Sequence, residues 1–169
     1  MRFRLEHRFD APLERVERAI LDPSFDAQLA ELPNVKERSV LEHEDRPDGS
    51  VHRKVRYRLH ASLPSAVTRV IGTHDVQWVE ASDFDPATHT WRFEIHPDLR
   101  GVGFDCRGTI TLRSQGPGTV RELSGEVKVK VPLLGGRVEK AIVEGLTENM
   151  DAESELLARF LAGRSETAS

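Results

Sequence analysis

A chain of 169 residues, 38% hydrophobic and 31% charged, is sized for one domain that buries roughly two thirds of the surface its unfolded form exposes. Lys plus Arg total 24 against 28 Asp plus Glu, and the net charge of -4 argues against nucleic acid or an anionic membrane as the main partner. The lone Cys106 excludes an internal disulfide, and no secretory leader or apolar run of membrane-spanning length is in view, so the expectation is a cytoplasmic protein without integral membrane association.

Phe3, Leu5, His7 and Phe9 alternate with Arg2, Arg4, Glu6 and Arg8, the period of a strand with one buried face. Asp10-Ala-Pro12 then supplies an N-cap and a proline for a first helical turn, with Val16, Ala19 and Ile20 on one face. Asp22-Pro23 interrupts it. A second short helix from about Ser24 to Glu31 carries Phe25, Leu29 and Leu32 at helical spacing.

Arg46-Pro47-Asp48-Gly49-Ser50 is a hairpin turn, proline suiting its first corner and glycine its left-handed residue. Pairing Arg46 with Ser50 sets Leu41 opposite Val55, Ser39 opposite Tyr57 and Glu37 opposite Leu59 on one face, with Glu44 opposite His52 and Glu42 opposite Lys54 on the other. Leu63-Pro64-Ser65 ends the hairpin, and Ala66 to Ile71 reads as either a helical turn or a loop. Val76 to Phe84 and His89 to His96 form a second hairpin, with His89, Trp91, Phe93 and Ile95 sharing a face. Its loop pairs Trp78 with Ile95 on the inner side, whereas a slip of one residue sends Trp78 outward and brings Val79 and Ala81 in.

Phe104, Cys106, Ile110 and Leu112 alternate with polar residues, and Gln115-Gly-Pro-Gly118 turns the chain into Leu123, Val127, Val129 and Val131, the last of about seven strands. After Pro132 the residues Val138, Ile142, Gly145, Leu146, Asn149, Leu156, Leu157 and Phe160 recur at three and four, defining one long amphipathic helix to about Leu161. The expectation is a single α+β domain over 1–162, a helix laid across a curved antiparallel sheet, with 163–169 as a flexible tail. Such a sandwich often leaves a hollow.

The common local signatures of catalysis are absent: there is no Gly-x-Ser-x-Gly elbow, His-Glu-x-x-His zinc site or phosphate-binding P-loop. Gly101-Val-Gly103 precedes a strand and has Cys106 where a dinucleotide motif needs glycine, so it reads as a turn. Of the seven scattered histidines His7, His43 and His89 have inward readings, yet a metal needs three or four ligands converging; no metal and no cofactor is expected. The basic row His52, Lys54, Arg56, Arg58 and His60 lies beside Glu42 and Glu44, so it reads as a solvated, partly paired face.

Tyr57, Trp91, Phe93, Phe104, Ile142 and Leu146 point into the space between sheet and helix, with Trp78 beside them in its inward register. Each has an ordinary core reading as well. Polar company favours a pocket: Glu37, Ser39, Arg53, Tyr57 and Glu80 project to the same side, and buried without partners each would cost about 1 to 3 kcal/mol. Either they bond one another or they line a wet cavity, and Glu37 and Arg53 have a further reading beyond the helix edge. Asn149, one turn after Gly145, either hydrogen-bonds a ligand or caps a backbone group of the sheet. Gly135-Gly136 reads as a hinge at the cavity mouth or as a tight turn.

This order of one strand, two short helices, six strands and a long C-terminal helix resembles the helix-grip fold of the START, polyketide-cyclase and birch-pollen-allergen (SRPBCC) superfamily over nearly the whole chain. Val131-Pro-Leu-Leu-Gly-Gly-Arg-Val-Glu-Lys140 and Arg2-Phe-Arg-Leu-Glu-His-Arg-Phe9 are similar to an uncharacterised bacterial branch of it, a domain of unknown function. The resemblance implies a hydrophobic pocket between sheet and closing helix, used in that superfamily for lipids, sterols, polyketides or plant hormones and in some members for cyclisation or dehydration.

The reading is therefore a binder of a small hydrophobic or amphipathic molecule, of lipid, sterol or polyketide class, contacted by Tyr57, Trp78, Trp91, Phe93, Phe104, Ile142, Leu146 and Asn149. The alternative is an enzyme of the cyclase or dehydratase kind in the same hollow, with Glu80, Tyr57 or His89 as acid or base; a third is an interaction module using the basic strand face. Sequence leaves the oligomeric state open.

Overall fold

Alternation at the start of the chain produces β1 (Arg2–Phe9), in which Phe3 and Phe9 are buried while Arg2, Arg4 and Arg8 stay in solvent. The structure, a computed structural model, describes residues 1–59, 68–69, 76–98 and 101–166. Two short helices follow, α1 (Leu13–Ile20) and α2 (Pro23–Gln28), the second continuing into a 3-10 turn over Leu29–Glu31. Asp22 caps α2, accepting from Ser24 N at 2.8 Å, with Pro23 in the first turn. The cap expected from Asp10 does not form, because Pro12 takes the N-cap position of α1 and offers no side-chain acceptor.

Six further strands pair antiparallel in one sheet ordered β1-β7-β6-β5-β4-β3-β2: β2 (Val35–Asp45), β3 (Val51–Leu59), β4 (Val76–Asp85), β5 (Thr90–Pro97), β6 (Gly103–Gln115) and β7 (Gly118–Lys130). The α+β architecture is as expected. The closing helix α3 (Gly135–Glu166) packs on β7, β1 and α1. It continues through Gly163–Glu166, so the tail expected from Gly163 is corrected; one glycine costs a helix only about 1 kcal/mol relative to alanine. Of Ala66–Ile71 only Thr68 and Arg69 are described, both helical; the rest, like 167–169, lie outside the described residues.

The turn at Gly49 (φ 84°) sets the first hairpin, with Arg46 N donating to Ser50 O at 2.9 Å, and Glu44↔His52 and Glu42↔Lys54 pair as expected. Beyond them the register breaks. A bulge leaves Leu41 unpaired, so that Val40 faces Val55, Arg38 faces Tyr57, and Ser39 and Glu37 turn to the outer side opposite Arg56 and Arg58. A second irregularity at Lys36 returns Val35 to the inner face, where it is buried. The expected inward Ser39 and Glu37 are thus corrected: Arg38 stands inside, and Glu37 pairs with Arg58 outside at 3.5 Å.

In the second hairpin Trp78 keeps the inner face, but its partner is Pro97 and Ile95 stands across from Glu80. A two-residue offset preserves the face because side chains alternate with period two. His89 does not share the face of Trp91: it sits in the loop with φ 52°, outside the pleat.

Core residues gather at one end and along the helix. Val16, Phe25, Phe84, Trp91, Leu112 and Leu157 fill the end beneath α1 and α2, while Cys106, Val127 and Val138, and then Phe3, Phe93, Leu123 and Met150, hold α3 to the sheet. Gly108 and Gly125 oppose each other on β6 and β7, and a Cβ there would lie 2.8 Å from the Phe93 ring and 2.6 Å from the Phe3 ring respectively. Bare backbone is what lets both rings approach.

Candidate functional site

The inner face of β3 and β4 differs from the rest of the concave layer. Pairing Arg53↔Ser82, Val55↔Glu80 and Tyr57↔Trp78 brings one aliphatic, two aromatic and three polar side chains to one patch. The Tyr57 and Trp78 rings stack with centroids 5.5 Å apart. From β2, Arg38 reaches across: its Nε donates to Tyr57 Oη at 3.3 Å, and its two terminal nitrogens donate to the Asp26 carboxylate on α2 at 2.8 and 2.6 Å. Arg53 donates to the same Asp26 oxygen that Arg38 Nη2 uses. Two guanidiniums therefore share one carboxylate, in a place where the Arg38 side chain is 5% exposed and that of Asp26 17%.

Burial pushes Asp26 toward its neutral form, but hydrogen bonds from Arg38 and then Arg53 outweigh it and hold its carboxyl below the usual range. Glu80 has no such bonds. Burial, then the Glu153 charge on α3, raise it to about 7, with Arg38 and Arg53 pulling only partly back. Tyr57 is raised as well, chiefly by burial and then by Glu80, so it stays a neutral phenol. Although protein surrounds Glu80 and Tyr57 closely enough to shift them this far, both keep some accessible surface.

Two polar atoms named by sequence reasoning are buried with no partner: Trp78 Nε1 and Asn149 Oδ1, joined by Arg53 Nε. An unpaired buried group costs about 1 to 3 kcal/mol. Ile142 and Leu146 lie partly buried on α3 beside Phe104 and Phe93 respectively. Gly145 is exposed and a Cβ there would meet nothing within 4 Å, so it clears no space for Asn149. At the helix entry a Cβ on Gly135 would lie 2.5 Å from Val129 O, a close packing that fits a tight turn better than a hinge.

Trp91 and Phe93 take another part. Trp91, 8% exposed, stacks on Phe84 at 4.3 Å in the core beneath α1, and Phe93, 6% exposed, packs with Phe3, Leu123 and Met150. His89 bonds Glu17 of α1 at 2.6 Å, and its Thr90 neighbour pairs with Asp85, five rungs from Glu80. At about 3.3 Å per residue that puts the His89 end of the hairpin some 17 Å from Glu80, and farther still from Tyr57, which pairs with Trp78.

Arg121 escaped sequence reasoning. It is 1% exposed on the inner face of β7, donates to Glu153 at 2.7 Å and to Met150 O at 3.3 Å, and lies over the Phe9 ring, tying the sheet to α3. Its single signal is phase: Arg121 shares the odd-numbered face with Leu123, Val127 and Val129. His7 completes the seam through Asp151 at 2.8 Å. Among the described residues no three His, Cys, Asp or Glu side chains are grouped to hold a metal ion, and no helix is long and apolar enough to cross a membrane.

A curved seven-stranded antiparallel sheet gripping one long C-terminal helix, with two short helices after the first strand, is a START-like helix-grip fold. Three solved structures share it end to end. They are the protein TTHA0849 from Thermus thermophilus (TM-score 0.71, 22% identity, 98% of this chain and 99% of that one), the Zhui aromatase/cyclase from a Streptomyces species (0.68, 16%, 100% and 99%) and a START superfamily protein from Mycobacterium smegmatis (0.57, 20%, 99% and 99%). At these identities the likeness concerns the fold. No curated protein matches the sequence. The chain belongs to the family described as a protein of unknown function (DUF2505), which matches residues 4–161.

Proposed function

We propose that this protein binds a small hydrophobic or amphipathic molecule between the inner face of β3 and β4 and helix α3. The observation that carries the reading is the pair of buried, unpartnered polar atoms, Trp78 Nε1 on the sheet, stacked on the Tyr57 ring, and Asn149 Oδ1 on α3. Phe104, Ile142 and Leu146 would contribute apolar surface at roughly 25 cal/mol per Å2 buried, while Tyr57, Trp78 and Asn149 orient the polar end. The helix supports this by packing on β1 and β7, the far side of the sheet from β3 and β4.

Native mass spectrometry of gently purified protein, followed by solvent extraction, is the direct test. A non-covalent adduct released by organic solvent is expected. Only empty protein, together with no thermal shift across fatty-acid, sterol and aromatic polyketide panels, would sink the reading.

One observation favours a second reading, an enzyme of the cyclase or dehydratase kind. Glu80, raised to about 7 beside the neutral phenol of Tyr57, has the proton affinity a general acid or base needs near neutral pH. The Zhui protein shares the fold and is an aromatase/cyclase. Here the acid-base pair would be Glu80 and Tyr57, without His89. Turnover of a poly-β-ketone substrate that Glu80→Gln abolishes while binding persists would favour the enzyme; binding without turnover would leave the receptor.

A further inference from the structure

We propose that the molecule held against β3 and β4 is an acidic amphiphile, an apolar body ending in a carboxylate whose oxygens accept hydrogen bonds from Arg53, Trp78 and Tyr57. This rests on the binding reading and adds the chemistry of the head group. The patch is rich in donors. Indole and guanidinium nitrogens can only donate, and Trp78 Nε1 and Arg53 Nε are both buried with nothing to donate to. Tyr57 Oη already accepts from Arg38 Nε, which leaves its own proton free. Of the two carboxylates in the patch, Asp26 already takes bonds from both Arg38 and Arg53, which leaves Glu80 alone facing the remaining donors. Among the described residues the one buried, unpartnered acceptor, Asn149 Oδ1, belongs to the helix side.

Charge points the same way. The groups that face Glu80 are Arg53 and Tyr57 from β3, Arg38 from β2, Asp26 from α2 through its two arginines, Glu153 from α3 and Cys106 from β6. Glu153 is neutralised by Arg121, and Asp26 cancels one of the two guanidiniums. The remaining positive charge is balanced only by Glu80, whose proton affinity sits where a modest push tips it. An entering carboxylate replaces Glu80 as the counter-ion, and Glu80 takes up a proton from solvent as it binds. An alcohol gains less from the arginines and brings no such proton, and an ammonium head meets two cations whose shared carboxylate is already taken.

The experiment displaces the neutral apolar dye N-phenyl-1-naphthylamine from the full chain with decanoate, decanol or decylamine, which share a tail and differ only in head group. At about pH 6 decanoate is expected to displace the dye at roughly a tenth of the decanol concentration or less, with decylamine weakest, one charge-assisted hydrogen bond sufficing for tenfold. Raising the pH to about 8 should weaken decanoate by roughly fivefold or more, as Glu80 must then be protonated against solvent, and leave decanol unchanged. Arg53→Lys, which keeps the charge toward Asp26, and Trp78→Phe, which keeps an aromatic ring without the indole N–H, should each reduce the ratio of decanoate to decanol affinity severalfold. Dye that binds but is displaced equally by all three, or best by decanol, would overturn the acidic head group while leaving the binding reading intact. Dye that never enters would overturn the binding reading itself.

Discussion

Replacing Glu80 by glutamine keeps the shape of the side chain and removes its charge. In the folded protein burial and Glu153 raise the Glu80 carboxyl from its ordinary 4.5 to about 7. Between those values the native state holds a proton that the unfolded chain has released, so stability falls as pH rises. The contribution of Glu80 is most favourable below about 4.5 and is lost as pH passes about 7. At about 1.4 kcal/mol per pH unit, the part lost between pH 5 and pH 8 comes to about 2 to 3 kcal/mol. Glutamine has no charge to desolvate and escapes this loss. For a chain of this length each kcal/mol moves Tm by about 2 to 4 °C, so the Tm difference between Glu80→Gln and the parent should be about 5 to 10 °C more favourable to the variant at pH 8 than at pH 5. Differential scanning calorimetry on both proteins at the two pH values measures it, and histidines that titrate in the window cancel in the difference. An identical Tm difference at both pH values would refute a buried, proton-holding Glu80, and with it the acid-base reading of the patch.

Asp26→Asn leaves Arg38 and Arg53 without their shared counter-ion at a nearly closed site, and urea unfolding should show a loss of about 3 kcal/mol; a loss below about 1 would mean the guanidiniums are already solvated. Gly108→Ala should destabilise by about 2 kcal/mol or more, since its Cβ would run into Ser124 O, whereas Gly145→Ala, meeting nothing, should stabilise α3 by about 0.5 to 1 kcal/mol. Similar effects of the two in thermal melts would contradict the close approach of Phe93 to β6. The Cys106 thiol, 2% exposed and pushed up to about 11 by burial first and then by Asp105 and Glu80, should resist iodoacetamide at pH 8 in the native protein and react promptly in urea. Rapid native labelling would show that this part of the core opens.

Much of the architecture was legible because its signals are local. The alternation of Phe3 to Phe9, the Pro47-Asp48-Gly49 turn and the apolar stripe from Val138 to Leu157 each follow from backbone geometry within a few residues, and each forms as expected. Pairings beyond the turn were less secure. Strand β2 carries Ser39, Val40 and Leu41 in a run whose hydrophobicity marks no bulge, so a register continued from the turn set Ser39 and Glu37 inside, where Arg38 belongs. What decides the matter is Asp26 on α2, a partner twelve residues away in sequence that can neutralise Arg38 but offers nothing to Ser39. Trp91 shows the opposite difficulty: its inward phase was readable, but α1 and α2 turn its end of the layer into packed core.

The candidate site depended on more distant information. Tyr57 was set on the inner face by alternation, Trp78 and Glu80 only in one of two registers of the second hairpin, and the pairing of β3 with β4 is what sets all three there. The amino-acid order thus determined by itself that side chains alternate between two faces in the strands and follow one stripe in the helix, because period two and 3.6 are properties of the backbone. Only the folded chain decided that Arg38 replaces Ser39, that Arg121 is a fully buried charge, and that Glu80 holds its proton to about 7. Each of those outcomes depends on the charges that β2, α2, α3 and their neighbours bring together, and electrostatic energy follows distance and dielectric in space, whatever the separation along the chain.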